Sequence, residues 1–264
     1  MNIETFKEKV TSKEMGCEVH YHEEVTSTNI VAKELAGLNK PTGTLIVAGF
    51  QSQGKGRRGR TWVAPRDKDI FMSLLLRPQI KPTQASMLTL VMGLSVAQAV
   101  NEYLGINSQI KWPNDVVVGG KKICGILTEM NANTDNASYV IIGTGINCNT
   151  AEFTDAGLQD ATSLAMVTGQ EVSREILLSE VLARFETNYN LFLQTKDMTE
   201  LIGSYNSILV NAGHDVKVCG EGEEWIGRAK GINEQGELLV EDSEGKVRQI
   251  FTGEVSVRGI YGYV

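Results

Sequence analysis

Val116-Val117-Val118-Gly119-Gly120-Lys121-Lys122-Ile123-Cys124-Gly125-Ile126-Leu127-Thr128-Glu129-Met130 reads as a β-hairpin. Val116–Val118 and Ile123–Met130 are strand-like runs, and Gly119-Gly120 supplies the conformational freedom of a tight turn. Gln109 to Trp112 reads as a strand entering a turn at Pro113-Asn114, and Tyr139 to Cys148 as a further strand. Glu18–Glu23, Thr44–Phe50 and Ile70–Leu76 are strands nearer the N-terminus, the last two apolar enough to be buried. Helical patterns sit between them. Ser27-Thr28-Asn29 offers capping side chains to a helix over 30–38, and Met87, Leu90, Val91, Leu94, Ala97 and Val100 recur at helical spacing over 83–104. Leu178, Val181, Leu182, Phe185, Tyr189 and Phe192 do the same over 174–193, with a shorter helix over 199–209. Strands joined mostly by hairpins with helices between them predict an α+β fold with a mixed, mainly antiparallel sheet.

After Gly213 the texture changes. Strand-like runs at 216–219, 225–232, 237–241 and 247–251 are split by Gly, Glu and Asn turns, which predicts a small β-barrel. The domain expectation is therefore 1–212 for the main unit and 213–264 for the appendage, which is too small to be more than marginal alone.

The chain has 264 residues, 42% of them hydrophobic and 22% charged, with a formal net charge of −7. That balance argues against a general nucleic-acid-binding surface. Cys17, Cys124, Cys148 and Cys219 are widely spaced and form no metal or redox motif. Met1 to Lys13 has no apolar core of a secretory signal, and no run of 18 apolar residues occurs, so the expected location is the cytoplasm.

Against that acidic background, Gly54-Lys55-Gly56-Arg57-Arg58-Gly59-Arg60 carries four cations, three glycines and no acid. Glycines bring backbone N–H groups close to a ligand, and arginine forks match phosphate or carboxylate oxygens. The pattern fits an anion cradle, and equally a solvated basic loop or an RNA contact. It is neither a Walker A loop nor a dinucleotide fingerprint. Lys111-Trp112-Pro113-Asn114-Asp115 places oxygens beside a lysine, suited to a nucleotide or Mg²⁺ or to an ordinary capped turn. Alternation along Ile123, Gly125, Leu127 and Glu129 puts Gly125 where a ligand can lie against the backbone. Lys121-Lys122 alone would pass for a solvated hairpin tip. Gly143-Thr144-Gly145-Ile146-Asn147 ends a strand in an amide that can read a base edge or simply close the strand. His20 and His22 share a strand face but lack a third metal ligand.

Taken in order, Ser27-Thr28-Asn29, GKGRRGRTW at 54–62, KWPND at 111–115, KICGILTE at 122–129 and GTGIN at 143–147 closely resemble the biotin protein ligases. The resemblance runs from about residue 20 to Gly253-Glu254-Val255-Ser256, similar to the family's terminal strand. Lys55 stands where the family usually has arginine, keeping charge without the bidentate fork.

The resemblance implies a class II synthetase-like catalytic domain with an SH3-like C-terminal barrel. It implies an ATP-dependent biotin–[acetyl-CoA-carboxylase] ligase, which forms biotinyl-5'-AMP and then acylates a lysine of a biotin carboxyl carrier protein. Lys122 and Arg57 would be catalytic. Ser27, Thr28, Asn29, Gln51, Gly54, Lys55, Gly56, Arg57, Arg58, Lys122, Gly125 and Leu127 would hold biotin or its adenylate. Trp62, Lys111, Asn114, Asp115 and Asn147 would hold the nucleotide, with Mg²⁺ held mainly by ATP phosphates. Some members add an N-terminal DNA-binding domain, for which about 20 residues leave no room, so neither DNA nor membrane binding is expected; a homodimer is possible. The rival expectations are a lipoate–protein ligase, whose R-R-x-x-G-G-G signature is absent, and a non-catalytic nucleic-acid-binding module, which lacks a stacking platform beside the loop.

Overall fold

A computed structural model of the chain describes residues 1–132, 137–154, 158–219 and 224–251, and the backbone of 256–259. Its elements in order are α1 (Ile3–Lys9), β1 (Glu18–His22), α2 (Thr28–Gly37), β2 (Thr44–Ala48), β3 (Ile70–Leu76), α3 (Pro82–Ala85), α4 (Met87–Leu104), β4 (Ser108–Lys111), β5 (Asp115–Val118), β6 (Lys121–Ala132) and β7 (Ala137–Ile146). There follow α5 (Leu164–Thr168), α6 (Arg174–Thr195), α7 (Ile202–Ser207), β8 (Asp215–Cys219), β9 (Glu224–Ile232), β10 (Leu238–Glu241), β11 (Val247–Ile250) and β12 (Ser256–Gly259).

The Gly119-Gly120 turn joins β5 to β6, both glycines left-handed at φ 56° and 76°. Around this hairpin a seven-stranded sheet is ordered β1-β2-β3-β7-β6-β5-β4. Only β1 and β2 pair in parallel; the other neighbours are antiparallel, giving the expected mixed α+β sheet.

One face of the sheet carries the main core. There α4 and α6 cover Leu45, Met72, Leu74, Ile126 and Ile142. The segment from Pro82 to Leu104 is apolar enough to cross a membrane by composition, but 72% of its most apolar window is buried within the protein, as a core helix must be. On the other face α2 buries Ala32 and Ala36 against Ile46, Leu75 and Ile141, with Val31 and Leu35 packed half-buried at their edge. Short side chains hold this helix close to the sheet but cover only part of it. Beyond its N-terminus the same face is floored by glycine, because Gly145 pairs with Gly125, and Gly143 with Ser73 and Leu127. Paired residues share a face, so β6 and β7 together present a strip without side chains.

The C-terminal strands correct the barrel expectation. They form a five-stranded antiparallel sheet, β11-β10-β9-β8-β12, which is open: β11 and β12 are its two edges, and no sheet among the described residues closes into a barrel. Evenly spaced turns report how many strands follow one another, not whether the first and last meet. The need to bury an apolar face is met in another way. Val216, Val218, Ala229, Leu238 and Val240 join the core of the main body instead of facing an opposed wall of their own. Of the expected terminal strand, Gly253, Glu254 and Val255 lie outside the described residues, while Ser256 opens β12.

The seam between the two sheets is polar at defined points. Trp112 Nε1 donates to Gly236 O at 3.1 Å, Met198 N to Glu234 O at 2.7 Å, and Asn206 brackets Ile232. Gly236 is left-handed (φ 75°), and a Cβ there would stand 2.5 Å from Leu90 Cδ1 and 3.2 Å from Met87 Cγ. Gly236→Ala combines left-handed strain of about 1–2 kcal/mol with displacement of Leu90. The expected result is a lower urea midpoint with an unchanged m-value.

Candidate active site

A cavity of about 850 Å³ opens over the glycine strip, between the N-terminus of α2, the basic loop and the Lys111–Asp115 turn. Every residue selected from the sequence lines it except Gly54. Gly54 lies at the base of the loop, where its carbonyl accepts from Trp62 N at 2.9 Å and a Cβ would collide with Trp62 O at 2.5 Å.

The loop folds as a small hairpin. Lys55 bridges Thr61, Gly56 N donates to Arg60 O at 2.7 Å, and a 3-10 turn spans Arg57–Gly59 with Arg58 left-handed at φ 57°. Arg57 thereby reaches the turn before β5. Arg57 Nη1 donates to Asn114 Oδ1 at 3.0 Å, and Lys122 Nζ pairs with Asp115 Oδ1 at 2.6 Å. Burial lowers the pKa of Arg57, an effect the charge of Asp115 partly offsets. Asn114 is itself held to β6, with Ile126 N donating to Asn114 O and Asn114 Nδ2 to Ile126 O. Two cations, each steadied by a polar partner, thus converge on one end of the cavity. Such fixed charges stabilise charge that develops on phosphate and acyl oxygens.

Trp62 lies flat against the glycine strip. A Cβ on Gly125 or on Gly145 would come within 2.6 Å of its ring, and Lys122 Nζ sits 5.4 Å from the ring centroid. Its Nε1 is buried and meets no acceptor among the described residues, and the buried hydroxyl of Thr144 likewise finds no partner there. An N–H left in that state costs roughly 1–3 kcal/mol, which a bound acceptor would recover.

At the other end the ST-N triplet does not cap α2 as its sequence suggests. Ser27 occupies the N-cap position, but its side chain makes no capping bond. The polar side chains turn to one another. Gln51 Oε1 accepts from Thr28 N at 2.8 Å and Thr28 Oγ1 at 3.1 Å. Ser73 Oγ stands 2.7 Å from Thr28 Oγ1 and 2.6 Å from Asn29 Oδ1. Asn29 Nδ2 donates to Glu129 Oε2 at 2.7 Å, and Lys33 Nζ pairs with Glu129 Oε1 at 2.5 Å. Burial opposes ionisation of Glu129, but the bonds from Lys33 and Asn29 outweigh it and hold the carboxyl below the usual glutamate range.

Asn147 reaches the cavity while its amide is occupied, donating to Thr162 O at 3.1 Å. Lys111 lines the cavity at 6% exposure. Sequence reading missed Ser73 and Glu129, and also the wall formed by Phe153, Leu158, Asp160 and Ala161. That wall is tied to β6 by Lys122 N donating to Asp160 O and Thr162 N donating to Lys122 O. Its Asp160–Thr162 part is held by main-chain bonds and not by side-chain pattern, so no periodicity announces it. The sequence offered Glu129 as the last residue of its alternating strand face, but no sign of its partner Ser73. His20 pairs with Glu18, and no group of three metal-ligating side chains occurs among the described residues.

Comparisons with known proteins converge. Residues 21–147 match the biotin/lipoate A/B protein ligase family, and residues 213–258 the biotin protein ligase C-terminal domain. The bifunctional ligase/repressor BirA of Bacillus subtilis is 37% identical over 245 residues, covering 92% of this chain and 75% of that protein. The biotin–[acetyl-CoA-carboxylase] ligase of Mycobacterium tuberculosis is 30% identical, covering 87% of this chain and 84% of its own. Among solved structures, the Aquifex aeolicus biotin protein ligase with biotin and ATP superposes with a TM-score of 0.80 at 34% identity, over 92% of this chain and 99% of that one.

The seat of Trp62 is testable directly. Gly145→Ala places a methyl where the indole now lies, so tryptophan emission should shift to the red. The same substitution in a Trp62→Phe background should leave emission unchanged; a shift there would mean that another tryptophan moved.

Proposed function

The chain belongs to the biotin protein ligases, and we propose that the cavity over Gly125, Gly143 and Gly145 is where it carries out both half-reactions. The enzyme activates biotin with ATP and transfers it to a protein lysine. A biotin carboxylate oxygen attacks the α-phosphorus of ATP, and pyrophosphate leaves. The lysine amine then attacks the acyl carbon of biotinyl-5'-AMP; an amide forms, a proton is lost and AMP departs.

Neither step needs a nucleophile from the enzyme. Each needs reactants held in line and negative charge stabilised as it shifts between oxygens. The observation that carries the assignment is the convergence of Lys122 and Arg57 beside the glycine strip, steadied by Asp115 and Asn114. Lys122 and Arg57 are the proposed catalytic residues. An incoming phosphate or acyl oxygen would compete with Asp115 for Lys122. Ser27, Thr28, Asn29 and Gln51 would shape the pocket for the fused rings, with Gly125 and Leu127 beneath the acyl chain. Gly54, Lys55, Gly56 and Arg58 would fold over the acyl phosphate and keep water from a labile anhydride. Trp62, Lys111, Asn114, Asp115 and Asn147 would face the nucleotide. ATP would bring Mg²⁺ bound mainly to its own phosphates, with Asp115 a candidate carboxylate for the ion.

The carrier in this proposal is a biotin carboxyl carrier protein, that of acetyl-CoA carboxylase or of another biotin-dependent carboxylase, in the cytoplasm. Residues 1–212 would act as the catalytic unit and 213–264 as the appended one. No step requires DNA or a membrane. A homodimer belongs to the same proposal and is checked by sedimentation.

The decisive assay is ATP–pyrophosphate exchange. Exchange should depend on biotin and stay at background with lipoate; no biotin-dependent exchange would remove the proposal. Lys122→Ala should slow exchange by about 10²–10³-fold, the usual effect of deleting one charge-stabilising donor. Lys55→Arg restores the two-pronged donor, so in a single-turnover trap biotinyl-adenylate should escape more slowly than from the wild type.

A further inference from the structure

Glu129 lies outside the cavity, yet it governs what the cavity can offer. A carboxylate only accepts hydrogen bonds. Glu129 Oε1 takes Lys33 Nζ, so Oε2 is left for Asn29, and only the Nδ2 end of that amide can meet it. Leu127 O, 3.4 Å from the same Nδ2, favours the same orientation. Asn29 Oδ1 must then point the other way, at Ser73 Oγ. Ser73 has one proton and two close oxygens, Asn29 Oδ1 at 2.6 Å and Thr28 Oγ1 at 2.7 Å. The more strongly Asn29 Oδ1 draws that proton, the more of the Thr28 oxygen remains open to a donor from the cavity. Thr28 gives its own proton to Gln51 Oε1, which fixes the amide nitrogen as the remaining, donating end of Gln51. Asn29 can take this place only because position 143 is glycine, where a Cβ would stand 2.2 Å from Asn29 Oδ1.

We propose that Glu129 is a positioning residue that sets the hydrogen-bond polarity of the ring-binding pocket through Asn29, Ser73 and Thr28. It makes Thr28 an acceptor and Gln51 a donor toward a cyclic urea, whose N–H and C=O edge carries the complementary pair. The proposal rests on biotin occupying the Thr28 end of the cavity. Without the carboxylate, Asn29 is free to flip. Its Nδ2 would then donate to Ser73, the Ser73 proton would pass wholly to Thr28, and the oxygen meant for the urea N–H would be filled.

The test is a polarity swap read by calorimetric titration of biotin and, separately, ATP. Glu129→Gln should weaken biotin about tenfold, the scale of one misdirected hydrogen bond, with ATP affinity within about twofold. Asn29→Asp alone sets two carboxylates face to face and should also weaken biotin. Combining Asn29→Asp with Glu129→Gln reverses the bond between these two positions but keeps Ser73 donating to position 29, because the new amide at position 129 donates to the new carboxylate, whose other oxygen again accepts from Ser73. This double variant should recover most of the lost affinity. Lys33→Met keeps the acceptor while removing the ion pair and should bind biotin within about twofold of wild type. Three results would each overturn the proposal: unchanged affinity in Glu129→Gln, no recovery in the double variant, or a loss in Lys33→Met as large as that in Glu129→Gln. Should Glu129→Gln fail to fold, the double variant and Lys33→Met still decide. A wild-type chain that binds no biotin would remove the ligase assignment and the relay together, whereas a failed swap with wild-type binding intact removes the relay alone.

Discussion

Close approach without side chains is the constraint on which the site is built. Gly125, Gly143 and Gly145 sit on one face of two paired strands, and each is occupied from above by a group that a Cβ would expel. Asn29 rests on Gly143, and the Trp62 ring on Gly125 and Gly145. Those two contacts fix the depth of the helix N-terminus at one end of the cavity and of the basic loop at the other. The short residues of α2 serve the same geometry, because a bulkier apolar face would lift the helix from the sheet and take Thr28 and Asn29 with it.

The second organising feature is electrical. Within a chain of net charge −7, Arg57 and Lys122 concentrate positive charge at one end of the cavity, where Asp115 is already engaged. Asp115 is turned onto Lys122, and Glu129 onto Lys33 and Asn29. Partial burial of Arg57 raises the strength of its interactions, since charges removed from water are screened less. These pairs are more than surface ion pairs, because each also fixes the direction in which a neighbouring polar group points.

Much of this was legible in the amino-acid sequence, for physical reasons that differ from element to element. The Gly119-Gly120 hairpin was readable because a tight turn demands its residue type, and the core strands because burial demands apolar runs. The cavity residues were readable because short motifs carry them in a family order. What escaped falls into two kinds. Closure of the C-terminal strands into a barrel was expected and did not occur, because closure depends on what else can cover the apolar face, and here the main body does so around Trp112 and Leu90. The Asp160–Ala161 wall and the Ser73–Asn29–Glu129 relay were invisible because they join residues distant in sequence through one or two hydrogen bonds each. A helix-start triplet reads as a cap, and only the register of β3 against β7 shows that Ser73 lies underneath it.

The seam at Trp112 has a consequence for how such proteins can be rearranged. Trp112 is adjacent to the turn that carries Asn114 and Asp115, and its indole is hydrogen-bonded to the turn at Gly236 that precedes β10. The terminal sheet therefore serves as a bracket for the Asn114–Asp115 end of the cavity rather than as a detachable cargo. A chimera that imports the last 50 or so residues of a homologue would inherit its own socket contour, and unless residues near 90, 112 and 198 travelled with it, the donor sheet would dock out of true. Recombination breakpoints within this architecture should accordingly cluster away from that joint.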